Sequence, residues 1–366
     1  MMDEFINKLI KLTIVIQQIP APTCAENQRG LFVRELFVNE GLADISADLL
    51  GNIFGRFPGD GNGKPLIICA HLDTVFPADT NLRITRGPKR LTGPGIGDNS
   101  LGVAGMIALI WLLREKKLRL PGDIWFVATV GEEGLGDLRG MRAVVDRFES
   151  TPIAYLALEG MALGHIYHRA LGVRRFRVSA LTEGGHSWGH YGRPSAVHEL
   201  ARLVDQLTAL DLPEKPRTTM NVGVFSGGTS INTIAAEASF ELDLRSEDDD
   251  ALTELVQDAQ SLISAANKQG VKVVSEQIGN RPSGGIPASH PLVKLAEQAI
   301  IQQGLEASLI TGSTDANIPL SRGYPAICLG ITTGEGAHTT GEFIHTQFIK
   351  QGMAQLLYFV ENLWGY

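Results

Sequence analysis

Cysteine is scarce in this chain: three residues in 366, Cys24, Cys69 and Cys328, an odd and widely spaced set. That excludes a disulfide framework, and Cys69 and Cys328 sit in apolar, strand-like runs where a small buried thiol is common. A reducing cytoplasm is the expected compartment. A basic surplus is missing too. Lys and Arg number 32 against 40 Asp and Glu, for a formal charge of −8, whereas binding to a phosphate backbone rests on surplus cations. No nucleic-acid partner is expected. Long apolar runs are absent as well: the most hydrophobic helical stretch, Leu101 to Leu113, falls short of the roughly 20 residues a bilayer span requires. It is predicted to be a buried core helix, and no membrane partner is expected. Near the N-terminus, Asp3 and Glu4 stand where a secretory leader would be basic, while Phe5, Leu9, Leu12 and Ile16 recur at helical spacing. A docked amphipathic helix is predicted there rather than a targeting segment. Internal repeats and low-complexity tracts are lacking.

What is present is an alternation of strand and helix signals. "NIFGRF", "PLIICAHLDT", a helix from about Leu101, "DIWFVATVGEE", a helix after Gly136 and "YLALEG" follow one another, the pattern of a mostly parallel sheet covered by helices. From about Val173 the texture changes to "VRRFRVSALT" with period-two alternation, helical "PSAVHELARLVDQLTAL", strand-like "TTMNVGVFSGG" and "EASFELDLRS", helical "ALTELVQDAQSLISAANKQ", and strand-like "VKVVSEQIG". This is the β-α-β-β-α-β order of a ferredoxin-like unit. After Arg281–Gly285 the α/β pattern returns. The predicted fold is therefore an α/β domain, residues 1–172 and 286–366, with helices on both faces of its sheet. A ferredoxin-like α+β domain, residues 173–285, is inserted into it.

Ionisable residues fall at the ends of the strand candidates, where open α/β sheets bind ligands. "CAHLDT" offers His71 and Asp73, which two apart on a strand face one side; "GPGIGDNSLG" offers Asp98; "GEEG" offers Glu132 and Glu133; "LEG" offers Glu159; "GAHTTGEF" offers His338. Singly, each has a plain reading as a turn-forming carboxylate or a satisfied structural histidine. Together they make a nitrogen and oxygen donor set suited to zinc, or to cobalt or manganese. One carboxylate can bridge two such ions. Adjacent glutamates leaving a strand point in different directions, so one of Glu132 and Glu133 can ligate while the other serves as general base. "GPGIGDNSLG" lacks the Walker lysine, so a phosphate loop is disfavoured.

The segments "HLDTV", "GIGDNSLGVAG", "GEEG", "LEG", "GGHS" and "GAHTTGEF", in that order over nearly the whole chain, resemble the two-zinc metallopeptidase and deacylase family of peptidase T, aminoacylase, glutamate carboxypeptidase, acetylornithine deacetylase and succinyl-diaminopimelate desuccinylase. The resemblance implies a cytoplasmic hydrolase of peptide or amide bonds with two zinc ions. His71, Asp98 and Glu159 would hold one ion and Asp98, Glu133 and His338 the other. Glu132 would be the acid/base acting on a water between them, and Asp73 the carboxylate that fixes the His71 tautomer. A cis peptide bond is implied between Asp98 and Asn99. In the inserted lid domain, His186 of "GGHS" would stabilise the tetrahedral oxyanion across a homodimer interface, and Asn232 and Arg245 would bind polar groups of the substrate. "GSTDANIP" with "GAHTTGEF" looks most like peptidase T, implying a di- or tripeptide exopeptidase. Glu159, however, stands where peptidase T-type members usually carry Asp and deacylases and carboxypeptidases often carry Glu, so an N-acyl amino acid deacylase or a carboxypeptidase is the alternative. Two readings of other classes are a serine hydrolase, since Gly185 to Gly189 fits G-x-S-x-G around Ser187, and a silent metal-binding protein, which a missing ligand or a missing Glu132 would have signalled.

Overall fold

The computed structural model describes residues 2–365. Two compact units partition the chain, Met1–Ala170 with Gly284–Tyr366, and Leu171–Ser283.

In the first unit a nine-stranded sheet runs in the order Ala43–Ala47, Ile53–Phe57, Ile124–Thr129, Leu66–His71, Ala154–Glu159, Ala326–Gly330, His165–Ala170, Gly284–Gly285, with Ser308–Gly312 also pairing His165–Ala170. The central strands Ile124–Thr129, Leu66–His71, Ala154–Glu159 and Ala326–Gly330 are mutually parallel. Leu66–His71 is buried along its whole length, as a parallel strand covered on both faces should be, which is why its sequence is nearly unbroken apolar. Register aligns His71 with Thr129 and Glu159 with Gly330, so the C-terminal ends of these strands finish level with one another.

The apolar helix Gly102–Glu115 is buried on almost every side, and it continues a π-turn over Ile96–Leu101. Together Ile96–Glu115 spans 20 residues, long and apolar enough by length and composition to cross a membrane. That corrects the expectation of a helix too short to do so. Its placement in the core is as expected: 89% of the apolar window is buried, and the backbone departs from helical geometry at Asp98 and Asn99. The N-terminal helix Met2–Gln17 buries Leu9 and Ile16 against the same core, with Phe5 and Leu12 partly covered.

The second unit is a four-stranded antiparallel sheet in the order Thr218–Gly227, Glu237–Ser246, Gly172–Thr182, Val271–Arg281, the ferredoxin-like arrangement. Glu237–Ser246 alternates strictly between outward and buried positions. Its buried Phe240, Leu242 and Leu244 pack with Leu200, Leu203 and Leu207 of helix Ala196–Thr208 and Leu252, Leu255 and Ile263 of helix Asp249–Ala265 in one core. The Asp248 side chain caps the latter helix by accepting from the Ala251 N–H.

Candidate metal centre

The level strand ends of the first unit bring the ligand candidates together. His71 ends its strand with Nε2 3.1 Å from Asp98 Oδ1 and 3.7 Å from Glu159 Oε2. From the other side His338 Nε2 lies 3.2 Å from Asp98 Oδ2 and 3.1 Å from Glu133 Oε1. Asp98 thus offers one oxygen to each histidine, the position of a bridging carboxylate. One donor atom from each of His71, Asp98 and Glu133 falls within 4.8 Å of the others. Glu132 and Glu133 are each only 5% exposed, whereas the His338 side chain is 55% exposed and so forms the open rim. The Asp98–Asn99 peptide is cis.

Buried side chains clamp each ligand-bearing loop to its neighbour. Four consecutive N–H groups after strand Ile124–Thr129 donate to side chains: Val130 to Asn52 Oδ1 at 3.0 Å, Gly131 to Glu26 Oε1 at 3.0 Å, Glu132 to Asp73 Oδ1 at 3.0 Å and Glu133 to Asp73 Oδ2 at 2.9 Å. Asn99 spans Glu159, donating from Nδ2 to Leu158 O at 2.8 Å and accepting at Oδ1 from Gly160 N at 2.9 Å. Glu342 accepts from Gly97 N at 2.6 Å, Asp98 N at 2.9 Å and Gly95 N at 3.2 Å. Arg29, fully buried, donates to Leu72 O and Ile19 O and so holds the main chain next to Asp73. Burial pulls its guanidinium down to about 10, with Asp73 opposing.

Asp73 faces His71 with both its main chain and its carboxylate. His71 Nδ1 meets the Asp73 backbone carbonyl at 3.1 Å, while the nearer carboxylate oxygen is 3.6 Å away, too long for a hydrogen bond. Nδ1 is thus turned toward Asp73, and Nε2 faces Asp98 and Glu159. The carboxylate is occupied by the Glu132 and Glu133 amides and by the Thr23 hydroxyl at 3.0 Å.

The electrostatics call for cations. Burial alone would lower the His71 imidazole, but Glu159, Asp73 and Asp98 outweigh it and hold the ring well above its ordinary range. Hydrogen bonds to Asp98 and Glu133 push His338 up to about 10. Asp98 stays well below the usual carboxylate range, because hydrogen bonds from His338 and His71 overcome the burial that would raise it. Burial pushes Glu159 up to about 7, with His71 opposing, and Glu342 likewise to about 7 against its N–H donors. The carboxylates that raise both imidazoles would equally favour divalent ions between them. A donor set of imidazole and carboxylate only, with buried negative charge in excess, fits a pair of such ions.

Three further candidates lie in the inserted unit. His186 and Asn232 meet on one two-stranded ribbon, in which Gly185–His186 pairs Thr233–Ile234 and Ser187 N donates to Asn232 O at 2.9 Å. His186 Nδ1 accepts from the Trp188 and Gly189 N–H groups at 3.2 and 3.3 Å, so the ring proton resides on Nε2. Arg245 is not brought to this ribbon. Register places Glu237 opposite Leu181 but Arg245 opposite Val173, roughly 25 Å further along at about 3.3 Å per residue. Its guanidinium engages Asp243 at 2.6 Å, and that carboxylate is shared with Arg175 at 3.0 Å. Ser187 lacks a nucleophile elbow: it leaves a two-residue strand into a turn, and the next helix begins only at Ala196. The helix-forming strand end that G-x-S-x-G requires is absent, so the serine-hydrolase expectation fails there.

Sequence reasoning missed Glu26, Arg29, Asn52, Asn99, Asp315 and Glu342. Asp315 accepts from the Thr129 hydroxyl at 2.6 Å and is buried. The one available signal was position, since Asn99 adjoins Asp98 and Glu342 follows His338 in the quoted "GAHTTGEF".

The family model described as peptidase family M20/M25/M40 matches residues 67–362. The acetylornithine deacetylase of Erwinia tasmaniensis is 28% identical over 319 residues, 82% of this chain and 80% of that protein. Among solved structures, a tripeptidase from Staphylococcus aureus subsp. aureus Mu50 superposes with a TM-score of 0.82 at 23% identity over 99% of both chains. Aminopeptidase PepT from Bacillus cereus ATCC 10987 superposes with a TM-score of 0.79 at 22% identity, again over 99% of both.

Proposed function

The chain belongs to peptidase family M20/M25/M40 and is a metal-dependent hydrolase of that family, and from this premise we propose a two-metal exopeptidase acting on di- or tripeptides. The observation that carries the reading is the convergence of His71 and Glu159, at level strand ends, with Asp98, Glu133 and His338 from turns and loops, Glu132 directly preceding Glu133. His71, Asp98 and Glu159 would hold one divalent ion and Asp98, Glu133 and His338 a second, with zinc as the first choice and cobalt or manganese as substitutes. Bound there, the pair would supply Lewis acidity and a water of lowered pKa.

Glu132 takes the proton of the attacking water and returns it to the leaving nitrogen. Its backbone N–H is held by Asp73, which fixes the main chain from which its carboxylate extends. His186, fixed as an Nε2–H donor by the Trp188 and Gly189 amides, is assigned to the tetrahedral oxyanion, donated in trans within a homodimer. Asn232 and Arg245 are assigned to polar groups of the substrate; Arg245 must give up Asp243 to reach a carboxylate. One of the two edge strands of the inserted unit, Thr218–Gly227, exposes Val224 and Phe225, which supports pairing of two copies there. Free cysteines at positions 24, 69 and 328 are consistent with residence in a reducing cytoplasm.

Likeness to a tripeptidase and an aminopeptidase supports peptides as substrates. The Glu159 carboxylate and the acetylornithine deacetylase relative favour a second reading, an N-acyl amino acid deacylase. The test is Glu132→Gln, expected to keep both ions by elemental analysis while turnover falls about 10²–10⁴-fold; full activity would reject the assignment. In parallel, a chelator should abolish activity and added ions restore it, with Ser187→Ala near wild type; the opposite pattern would restore the serine-hydrolase reading. Short peptides assayed against N-acyl amino acids, with zinc, cobalt and manganese in turn, separate the two substrate classes.

A further inference from the structure

We propose that Glu342 is a positioning residue for the reaction, one that locks Asp98 against His338 and strengthens the hold of the site on its ions. The inference rests on the two-metal reading above.

Glu342 is fully buried. Its Oε1 receives the Gly97 and Asp98 N–H groups and its Oε2 the Gly95 N–H, a concave array of amides around one carboxylate. The turn that presents them is built for this. Gly95 sits at φ +67°, a left-handed conformation that favours glycine, and a Cβ on Gly97 would strike Met161 and Ile344. The same residue is tied at its main chain, with Gly93 N donating to Glu342 O at 2.8 Å and Glu342 N donating to Thr339 O at 3.1 Å. Glu342 therefore joins the loop that carries His338 to the loop that carries Asp98, which the chain itself separates by more than 200 residues.

A neutral Asn or a water could cap such a turn at far smaller desolvation cost than a buried carboxylate. The side-chain partners of Glu342 are backbone amides, not cations that would offset that cost. The compensating charge would come from the divalent ions that Asp98, whose N–H binds Glu342, is placed to hold. The bond from the Asp98 N–H to Glu342 fixes the main chain from which the two Asp98 oxygens are presented to His71 and His338.

The test titrates metal-free protein with Co²⁺, read by its visible d–d absorption and by competition with a chromophoric chelator, for wild type, Glu342→Gln and Glu342→Asp. Gln keeps the volume but sets an NH₂ against one of the amides; Asp keeps the charge but falls a methylene short. Both are expected to bind Co²⁺ about 10–100-fold more weakly, the usual consequence of losing a partner behind a ligand. Both should also show a shifted absorption band and a lower kcat at nearly unchanged KM. A folded variant with wild-type affinity and wild-type band overturns the proposal. Should neither variant fold, the wild-type protein still decides: amide protons of Gly97 and Asp98 are expected to resist hydrogen exchange, and rapid exchange at both overturns the clamp. Wild type that takes up no ions overturns the two-metal reading itself, a result separate from failure of the clamp.

Discussion

Asp73 holds two successive amides, those of Glu132 and Glu133, on its two oxygens. Asp73→Asn puts an NH₂ against one of those donors, and leaving a buried N–H without an acceptor costs about 1–3 kcal/mol. The expected result is a lower urea midpoint at unchanged slope, with reduced turnover because Glu132 is no longer held; an unchanged midpoint would contradict the assignment. His290 offers a pH test far from these ligands in the chain. Its Nδ1 accepts from Leu292 N at the start of helix Pro291–Ile301, and burial pulls its imidazole below the ordinary 6.5. The unfolded chain therefore takes up this proton at a higher pH than the folded one. Its contribution to stability is complete above about 6.5 and is lost as pH falls through the folded value. An NMR titration should give a midpoint below 6.5; one above it would show that the ring does not cap the helix as a neutral acceptor. At this scale the histidines and acids of the centre were legible, because rare ionisable types recur at apolar strand ends. Asn52, Asn99 and Glu26 were not, since Asn and Glu in loops ordinarily mean turns and solvent. Only the folded chain shows their oxygens and amides turned inward onto neighbouring loops.

Secondary structure followed from pattern wherever one face is buried. Glu237–Ser246 alternates in sequence because it alternates in burial, and the continuous apolar run of Leu66–His71 reflects cover on both faces. Pairing was less legible. Strand Ala326–Gly330 inserts between Ala154–Glu159 and His165–Ala170, although the latter two are neighbours in sequence, and no local period encodes that choice. The π-turn Ile96–Leu101 was likewise hidden, since the sequence places the start of a helix only at about Leu101. It gives a further test at the helix start. A Cβ on Gly102 would collide with the Asn99 side chain, so Gly102→Ala should displace Asn99 from Leu158 O and Gly160 N. Overpacking of this kind costs about 1–3 kcal/mol, and ion affinity should fall with it; a variant with wild-type melting and wild-type ion uptake would show that the Asn99 clamp is dispensable.

For the molecule as a whole, ions that bind only the folded state stabilise it by mass action, about 2.7 kcal/mol at a free concentration a hundred times Kd. Chelated protein is expected to melt at a lower temperature, and Tm should climb with each tenfold addition of Zn²⁺, Co²⁺ or Mn²⁺. A Tm indifferent to chelator would mean that the acidic cluster stands without them. The place of Ala326–Gly330 inside the sheet has one more consequence, in biosynthesis. Until residue 330 has left the ribosome, the seam between Ala154–Glu159 and His165–Ala170 stays unzipped, with two apolar strand edges open to neighbouring polypeptides. From the emergence of Ala170 to that of Gly330 the nascent chain carries both open edges, and fragments terminated ahead of Ala326 are expected to accumulate as inclusion bodies.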